Sequence, residues 1–209
     1  MPITKLKITP RYARYYFFFA LVLIALPTIM LKVLPSHAGH VIVSAGKMNY
    51  SVFEKSVIYM TQHHGFGAMG IILNKPLNQE RQTHYKERFP TIQHFHYGGP
   101  VGINQDFFLM VPNKENASGF DVLNGSLLME KDPSEFNRII KDEAIASDIR
   151  LFAGYSGWGA MQLNREIVRG WWDDIPFDRL YINTKNPDKT WEKALTKVLD
   201  EKKSSFEPI

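Results

Sequence analysis

A glycine-rich corner constrains this chain more than any other stretch. It spans residues 63–77. One apolar run, at 56–60, precedes it, and a second, at 69–73, lies within it. The residue types of both runs are typical of strands. The pattern Gly-x-Gly-x-x-Gly, which begins at Gly65, provides a flexible turn, and Pro76 ends the second run. The corner therefore predicts two strands joined by a tight turn.

The same glycine pattern occurs in dinucleotide-binding proteins, where the turn leaves a strand and opens a helix whose amides hold a pyrophosphate. Here the last glycine, Gly70, opens a β-branched run that stops before Pro76, so no helix can form. An acidic residue after a second strand, about 20 residues further on, is also missing. We predict that the corner is architectural and that the chain binds no cofactor.

The net charge of +4 belongs to the N-terminus. Residues 1–38 contain five basic residues and no acidic one, so the remainder of the 209-residue chain carries a charge of −1. A nearly neutral domain gives no electrostatic reason to bind nucleic acid. The chain has no cysteine, which excludes disulfides, thiolate metal sites and a cysteine nucleophile.

The N-terminal segment has the pattern of a membrane-targeting sequence. Four basic residues precede an uncharged run from Tyr15 to Leu31, and the hydrophobic span covers about residues 15–34. One interpretation is a signal peptide cleaved after Ala38, since Ser36 and Ala38 are small. The other is an uncleaved anchor, because the run approaches the roughly 20 residues that span a bilayer. The sequence leaves both open.

Both interpretations predict the same topology. The basic flank stays in the cytoplasm, so residues 39–209 lie outside it. We therefore expect a targeting segment at 1–38 and one folded domain at 39–209. The protein is then either an inner-membrane protein whose domain faces the periplasm or, if cleaved after Ala38, a periplasmic protein.

The order of strand and helix signals predicts an α+β fold rather than a regular alternation of strands and helices. The polar segment 78–88 has no periodic apolar face and is predicted to be a mobile loop or a frayed helix. Strands are predicted at 40–45, 56–62, 95–97, 107–111 and 150–155, with one or two more within 120–129; helices are predicted at 132–144, at 160–168 and from Asn186-Pro187 onward.

Two pairs of histidines are candidate metal ligands. His63 and His64 are adjacent, so in a strand their side chains point to opposite faces. His94 and His96 share a face, but a third ligand, such as His84, must come from elsewhere. We predict no metal site.

Two serines resemble nucleophiles without completing a motif. Ser44 and Lys47 match the Ser-x-x-Lys spacing of penicillin-binding enzymes, but a glycine intervenes and the serine ends a strand. Ser156 resembles a nucleophile elbow, but Trp158 stands where that elbow requires glycine. We interpret both serines as turn residues and predict no catalytic residue.

Four segments together resemble the YqgE/AlgH family of bacterial proteins, in matching order over roughly residues 40–180. The resemblance implies an α+β fold with a coiled, branching, mostly antiparallel sheet and flanking helices, here preceded by an N-terminal hydrophobic helix. It also implies no established enzymatic activity; a link to regulation of exopolysaccharide synthesis has been proposed for one branch. The segments are FEKSVIY at 53–59, GAMGIILNKPL at 67–77, YGGPV at 97–101 and GYSGWGAMQL at 154–163.

This chain departs from the family pattern at its N-terminus, because members usually begin at the first strand. An exported domain does not meet DNA, so a transcriptional role is hard to sustain. The Cys-Glu often found before the histidine is Thr61-Gln62 here, which removes one possible source of thiol or carboxylate chemistry.

The shared motifs consist of glycines, amides and aromatic residues, which favour a shallow binding groove over an acid–base pair. We therefore predict a non-enzymatic binding or regulatory domain for an unknown protein, peptide or small ligand, with a metal- or serine-dependent hydrolase as the alternative. The same residues could instead shape backbone corners and fill the core. The predicted groove residues are Asn74, Gly98, Gly99, Tyr155, Trp158 and Gln162.

Overall fold

A computed structural model describes residues 12–22, 36–46, 48, 51–104, 107–110, 120–123, 127–130, 141, 149–182 and 186–204. The chain divides into two compact units, Met1–Ser36 and His37–Ile209.

In the first unit, residues 12–22 are helical and every one of them is exposed. Six of these eleven residues are Tyr or Phe, each more than 60% exposed. Within the described part of the chain, no helix is both long enough and apolar enough to cross a membrane. Residues 23–34 of the predicted hydrophobic span lie outside the described residues, and the membrane-targeting role remains a prediction.

The second unit contains ten described strands, three described helices longer than one turn and a short 3-10 helix, Arg179–Tyr181. The strands are β1 His40–Ser44, β2 Val57–His64, β3 Gly67–Ile72, β4 His94–Tyr97, β5 Phe107–Met110, β6 Phe120–Leu123, β7 Leu127–Glu130, β8 Arg150–Ala153, β9 Ser156–Trp158 and β10 Trp172–Pro176; the helices are α1 Gln79–Arg88, α2 Gln162–Val168 and α3 Pro187–Ser204.

The first sheet has the strand order β10-β1-β2-β3-β9, and all of its pairs are antiparallel. β2 and β3 form the predicted strand–turn–strand corner, with Gly65 and Phe66 between them. Gly70 faces β2 so closely that a Cβ atom there would lie 2.7 Å from Ile58 Cγ2 and 2.8 Å from the Tyr59 carbonyl oxygen. This glycine therefore permits close strand packing, and the strand–turn–strand structure of the corner is confirmed.

The second sheet has the order β4-β8-β5, with β4 parallel and β5 antiparallel to β8. β6 and β7 pair as a separate antiparallel hairpin. The chain leaves β8 in the second sheet and enters β9 in the first one only two residues later. The mixed α+β fold with mostly antiparallel strands was predicted correctly.

Helices cover the sheets with apolar side chains in three clusters. α3 packs Ala194 and Val198 against one face of the first sheet. α2 contributes Leu163 to the other face, where it meets Trp158 and Trp172. Tyr85 of α1 lies in the cluster beneath the second sheet, so α1, α2 and α3 are each fixed by buried contacts.

Of the two alternatives predicted for segment 78–88, a mobile loop or a frayed helix, the structure shows a helix. The Asn78 side chain caps it, accepting a hydrogen bond from the Arg81 N–H at 3.0 Å, and the buried Tyr85 anchors it in place of an apolar stripe. The prediction that Ser156 is a turn residue was wrong. Ser156 belongs to strand β9 and not to a turn, because it pairs with Gly70.

The strand β10 was not predicted. The helix predicted at 132–144 lies outside the described residues except for Lys141, which is helical.

Candidate functional site

Three glycines allow the two sheets to meet. The Gly98 N–H donates to the Ala153 carbonyl at 2.8 Å, and the Gly98 carbonyl accepts from the Ile72 N–H at 2.9 Å. Cβ atoms built on Gly98, Gly99 or Gly154 would each overlap backbone atoms of the opposite segment. The predicted residues Gly98 and Gly99 therefore serve a backbone crossing that side chains would prevent.

Tyr155 lies beside this crossing. Its backbone exchanges two hydrogen bonds of 3.0 Å with Val101, and its half-buried ring packs edge-on against Phe108. Gly157 is exposed next to the Tyr155 ring. The structure thus brings Gly98, Gly99 and Tyr155 together, as the groove prediction requires.

Asn74 is buried and connects two backbone segments. Its Oδ1 accepts from the Val57 N–H, and its Nδ2 donates to the Lys55 carbonyl, both at 2.8 Å. The second bond helps to hold Lys55 at a positive φ of 49°. These contacts give Asn74 a structural task.

Trp158 and Gln162 meet at the carboxylate of Glu166. The indole N–H groups of Trp158 and Trp172 both donate to Glu166 Oε2, at 2.9 and 2.8 Å, and Gln162 Nε2 donates to Oε1 at 2.9 Å. Phe53 packs on both indole rings. Sequence reasoning found two of these residues but missed Glu166, the group that orients them. Ligand binding by the six predicted residues remains a prediction.

The histidine pairs have different environments. His63 is buried and His64 is exposed, as expected for neighbours on a strand. His96 stacks on Phe152 with 5.0 Å between ring centroids, and burial, with help from Arg150 and His94, lowers its pKa to about 4. Among the residues that the structure describes, no three His, Cys, Asp or Glu side chains form a group able to hold a metal ion.

Both candidate serine nucleophiles are buried. Ser44 Oγ accepts a hydrogen bond from the Ser56 N–H at 2.8 Å, and Ser156 Oγ donates to the Gly98 carbonyl at 3.4 Å. Lys47 lies outside the described residues. Neither hydroxyl is open to a substrate in this conformation, so the serine-dependent alternative has no accessible nucleophile at these positions.

A polar cleft beside α1 was missed by sequence reasoning. It has a volume of 440 Å³ and is formed by one face of α1 and by the segment that leads into β4. The segment 78–88 had no apolar pattern to mark it as a wall of a cleft. The described lining residues are Gln79, Gln82, Thr83, Lys86, Pro90, Ile92, Gln93 and Phe95.

A cluster of imidazoles around Asp174 was also missed. Nδ1 of His37 lies 3.0 Å from Asp174 Oδ1, and Nδ1 of His40 lies 3.0 Å from Oδ2. His63 stacks on His37 with 5.0 Å between ring centroids. The sequence separates His37 and His40 from His63 and from Asp174, and Asp174 belongs to the strand that was not predicted.

Comparisons with known proteins match most of the chain. A family model described as AlgH-like matches residues 41–202. A UPF0301 protein of Methylococcus capsulatus is 34% identical over 169 residues, which cover 76% of this chain and 89% of that protein. A UPF0301 protein of Coxiella burnetii is 32% identical over 168 residues, which cover 75% of this chain and 86% of that protein.

Two solved structures share the fold. A crystal structure of a protein from Corynebacterium diphtheriae has a TM-score of 0.62 at 23% identity and covers 82% of this chain and 92% of its own. The solution structure of the AlgH protein from Pseudomonas aeruginosa has a TM-score of 0.57 at 24% identity and covers 77% and 87%. At these identities the likeness extends to the fold alone.

Proposed function

The chain belongs to the AlgH-like family, whose function is uncharacterised, and from this premise we propose that it is a membrane-held binding domain with its ligand site in the cleft beside α1. The observation that carries this proposal is the composition of the cleft. Its eight described lining residues include amides, a hydroxyl and an ammonium group but no carboxylate, imidazole or thiol. Such a lining binds polar molecules but provides no acid–base pair for catalysis.

The cleft has an apolar floor and a polar rim. Phe95 is 8% exposed and can pack against the body of a ligand, whereas Ile92 is fully buried beneath the cleft. Gln79, Thr83 and Lys86 lie on one helical face and are exposed at the rim. This arrangement resembles small-molecule sites, which combine apolar contact with a few polar groups that set orientation.

The polar groups indicate the chemistry of the ligand. Side-chain amides both donate and accept hydrogen bonds, whereas the Lys86 ammonium only donates and carries a positive charge. The Gln82 Nε2 is already used, because it donates to the Leu77 carbonyl at 2.6 Å. We therefore infer a small ligand with several hydrogen-bonding groups and one negative charge, such as a hydroxylated carboxylate.

Replacing Lys86 by glutamine is expected to weaken binding of such a ligand about tenfold, because one charge-assisted hydrogen bond is lost. The measurement is NMR titration of the full-length protein in nanodiscs with lactate, malate and gluconate, in which the amide signals of α1 should shift saturably. Lys189→Gln is the matched control, because Lys189 is an exposed residue of α3, and it should leave the affinity for the ligand unchanged. If no probe shifts the α1 signals, or if both variants bind equally well, the cleft proposal fails.

The membrane part of the proposal is supported by the N-terminal segment. Basic residues precede a long uncharged run, and the exposed aromatic side chains of residues 12–22 form a surface that lipid would cover. Retention of this segment is favoured over cleavage after Ala38, because His37 belongs to the folded unit and contacts both Asp174 and His63. Cleavage would remove two of that unit's own residues, His37 and Ala38.

Intact-mass measurement of the protein purified from membranes is expected to give the full-length chain with residues 1–38 retained. The protein should resist extraction by alkaline carbonate, and a reporter fused after Ile209 and active only outside the cytoplasm should give a signal. A mature species that begins at Gly39 would contradict retention. An inactive reporter would contradict the proposed topology.

A further inference from the structure

Both ring nitrogens of His63 have hydrogen-bond partners. Nδ1 accepts a hydrogen bond from the backbone N–H of His37 at 3.1 Å, and Nε2 lies 3.1 Å from Asn164 Oδ1. A backbone N–H can only donate, so Nδ1 must be unprotonated. The carboxamide oxygen can only accept, so Nε2 must carry the proton. The arrangement thus requires the neutral imidazole.

The His37 bond joins the beginning of the folded unit to its first sheet. His37 is the first residue of that unit and precedes β1, whereas His63 lies near the end of β2. A protonated His63 carries hydrogen on both nitrogens, so its Nδ1 would point a donor at the donor of His37. The backbone contact and the charged imidazole are therefore mutually exclusive.

The surrounding charges act in both directions, because His37 and His64 disfavour protonation of His63 whereas Asp174 favours it. The groups that face His63 are His37 from the segment before β1, His64 beside it on β2 and Asp174 on β10, while α2 faces it with the uncharged Asn164. Asp174 also contacts His40, so one carboxylate serves three imidazoles. If all three imidazoles were charged, that carboxylate could neutralise only one of them, and the stacked rings of His37 and His63 would repel each other.

We propose that His63 is a proton-operated latch, which holds residues 37–38 on the domain when neutral and releases them when protonated. Release detaches the His37 backbone from β2. The Gly39 N–H remains bound to the Met60 carbonyl at 2.8 Å, so the opening stops there. The pairing of β1 with β2 is thereby retained.

The direction of the pH effect follows from burial. Burial is the largest cause that lowers the pKa of His63 below 6.5, and the bond to Asn164 only partly offsets it. A lowered pKa in the latched state means that the latch is fully closed above pH 6.5 and loosens as the pH falls below that value. Outside the cytoplasm the pH follows the surroundings, so the proposed topology would expose the latch to such changes.

The test uses full-length protein with ¹⁵N-labelled histidine in nanodiscs. At pH 7.5, His63 should show an unprotonated Nδ1 and a protonated Nε2. Between pH 7.5 and 5, the exchange protection of the His37 amide should fall, by up to about tenfold for each unit by which the pKa is lowered. His63→Asn keeps an acceptor near the position of Nδ1 but cannot titrate, so its protection should not depend on pH.

His64→Asn, on the exposed face of β2, is the matched control and should behave like the unchanged protein. The latch is disproved if His37 protection in the unchanged protein is independent of pH, or if His63→Asn shows the same pH dependence. Where His63→Asn fails to fold, the tautomer measurement decides: a proton on Nδ1 at pH 7.5 would overturn the proposal. None of these outcomes depends on ligand binding in the cleft.

Discussion

Gly154→Ala is expected to lower the free energy of unfolding by at least about 3 kcal/mol, a large share of the roughly 5–15 kcal/mol that stabilises a typical domain. Two physical causes act together. Gly154 has a φ of 71°, a conformation that costs an L-residue about 1–2 kcal/mol. A Cβ atom there would also overlap the Gly99 carbonyl oxygen and lie 2.8 Å from that of Val101.

The clash at Gly154 cannot be relieved by moving a side chain, because both nearby atoms belong to the backbone. Separating the two segments would break the bond between the Gly98 N–H and the Ala153 carbonyl, which joins β4 to the end of β8. Gly154→Ala therefore destabilises the backbone crossing that holds the two sheets together.

Urea unfolding followed by circular dichroism measures this effect. Gly157→Ala is the matched control, because a Cβ atom there would make only ordinary contacts, at 3.6 Å to Tyr155 Cε2 and 3.8 Å to Val101 Cγ2. It should change stability by less than about 1 kcal/mol. Equal midpoints for the two variants would show that the crossing does not need a glycine.

Glu166→Ala is expected to destabilise the protein by about 3 kcal/mol, because two buried indole N–H groups lose their acceptor at a cost of about 1–3 kcal/mol each. Trp158 is 6% exposed and Trp172 is 1% exposed, so water does not readily replace the carboxylate. Gln162 loses its partner as well, and its own bond to the Gly159 N–H should weaken.

Glu166→Gln separates the loss of charge from the loss of an acceptor. Its side-chain oxygen can still accept from both indoles, so the destabilisation should be smaller, about 1 kcal/mol. Thermal unfolding monitored by tryptophan fluorescence provides the readout, since Trp158 and Trp172 are two of the four tryptophans in the chain. If alanine and glutamine variants unfold together, the carboxylate is not the group that fixes the indoles.

The parts of the fold that were predicted correctly are encoded in contiguous stretches. The β2–β3 corner combines apolar runs with glycines at the turn, and α3 combines a start at Pro187 with Ala194 and Val198 at helical spacing. In both cases residues close in sequence determine the local conformation and also supply the buried face.

α1 and β10 could not be predicted from local pattern. α1 depends on one anchor, Tyr85, whose hydroxyl donates to the Ile103 carbonyl 18 residues away. β10 contains Asp173 and Asp174, residue types that are typical of loops. In the folded chain Lys202 lies 2.6 Å from the Asp173 carboxylate, and His40 lies 3.0 Å from that of Asp174. Their partners are distant in sequence, so a local pattern contains no sign of them.

The candidate sites were also hard to predict where their residues are distant in sequence. The six predicted groove residues were chosen from motifs, and the motifs identified the crossing and the two side chains beside Glu166. The latch, by contrast, combines His37, His63 and Asn164 from three separate elements. Only the folded chain brings them together, and the cleft likewise needed α1 to be recognised as a helix.

The pairing of β1 with β10 has a consequence for the biogenesis of the protein. Val43 and Asp173 are partners although they are 130 positions apart, so β1 has an unpaired edge until nearly the whole domain has been synthesised. An open strand edge invites pairing with other chains. The nascent chain should therefore depend on a holding chaperone until residue 176 has emerged.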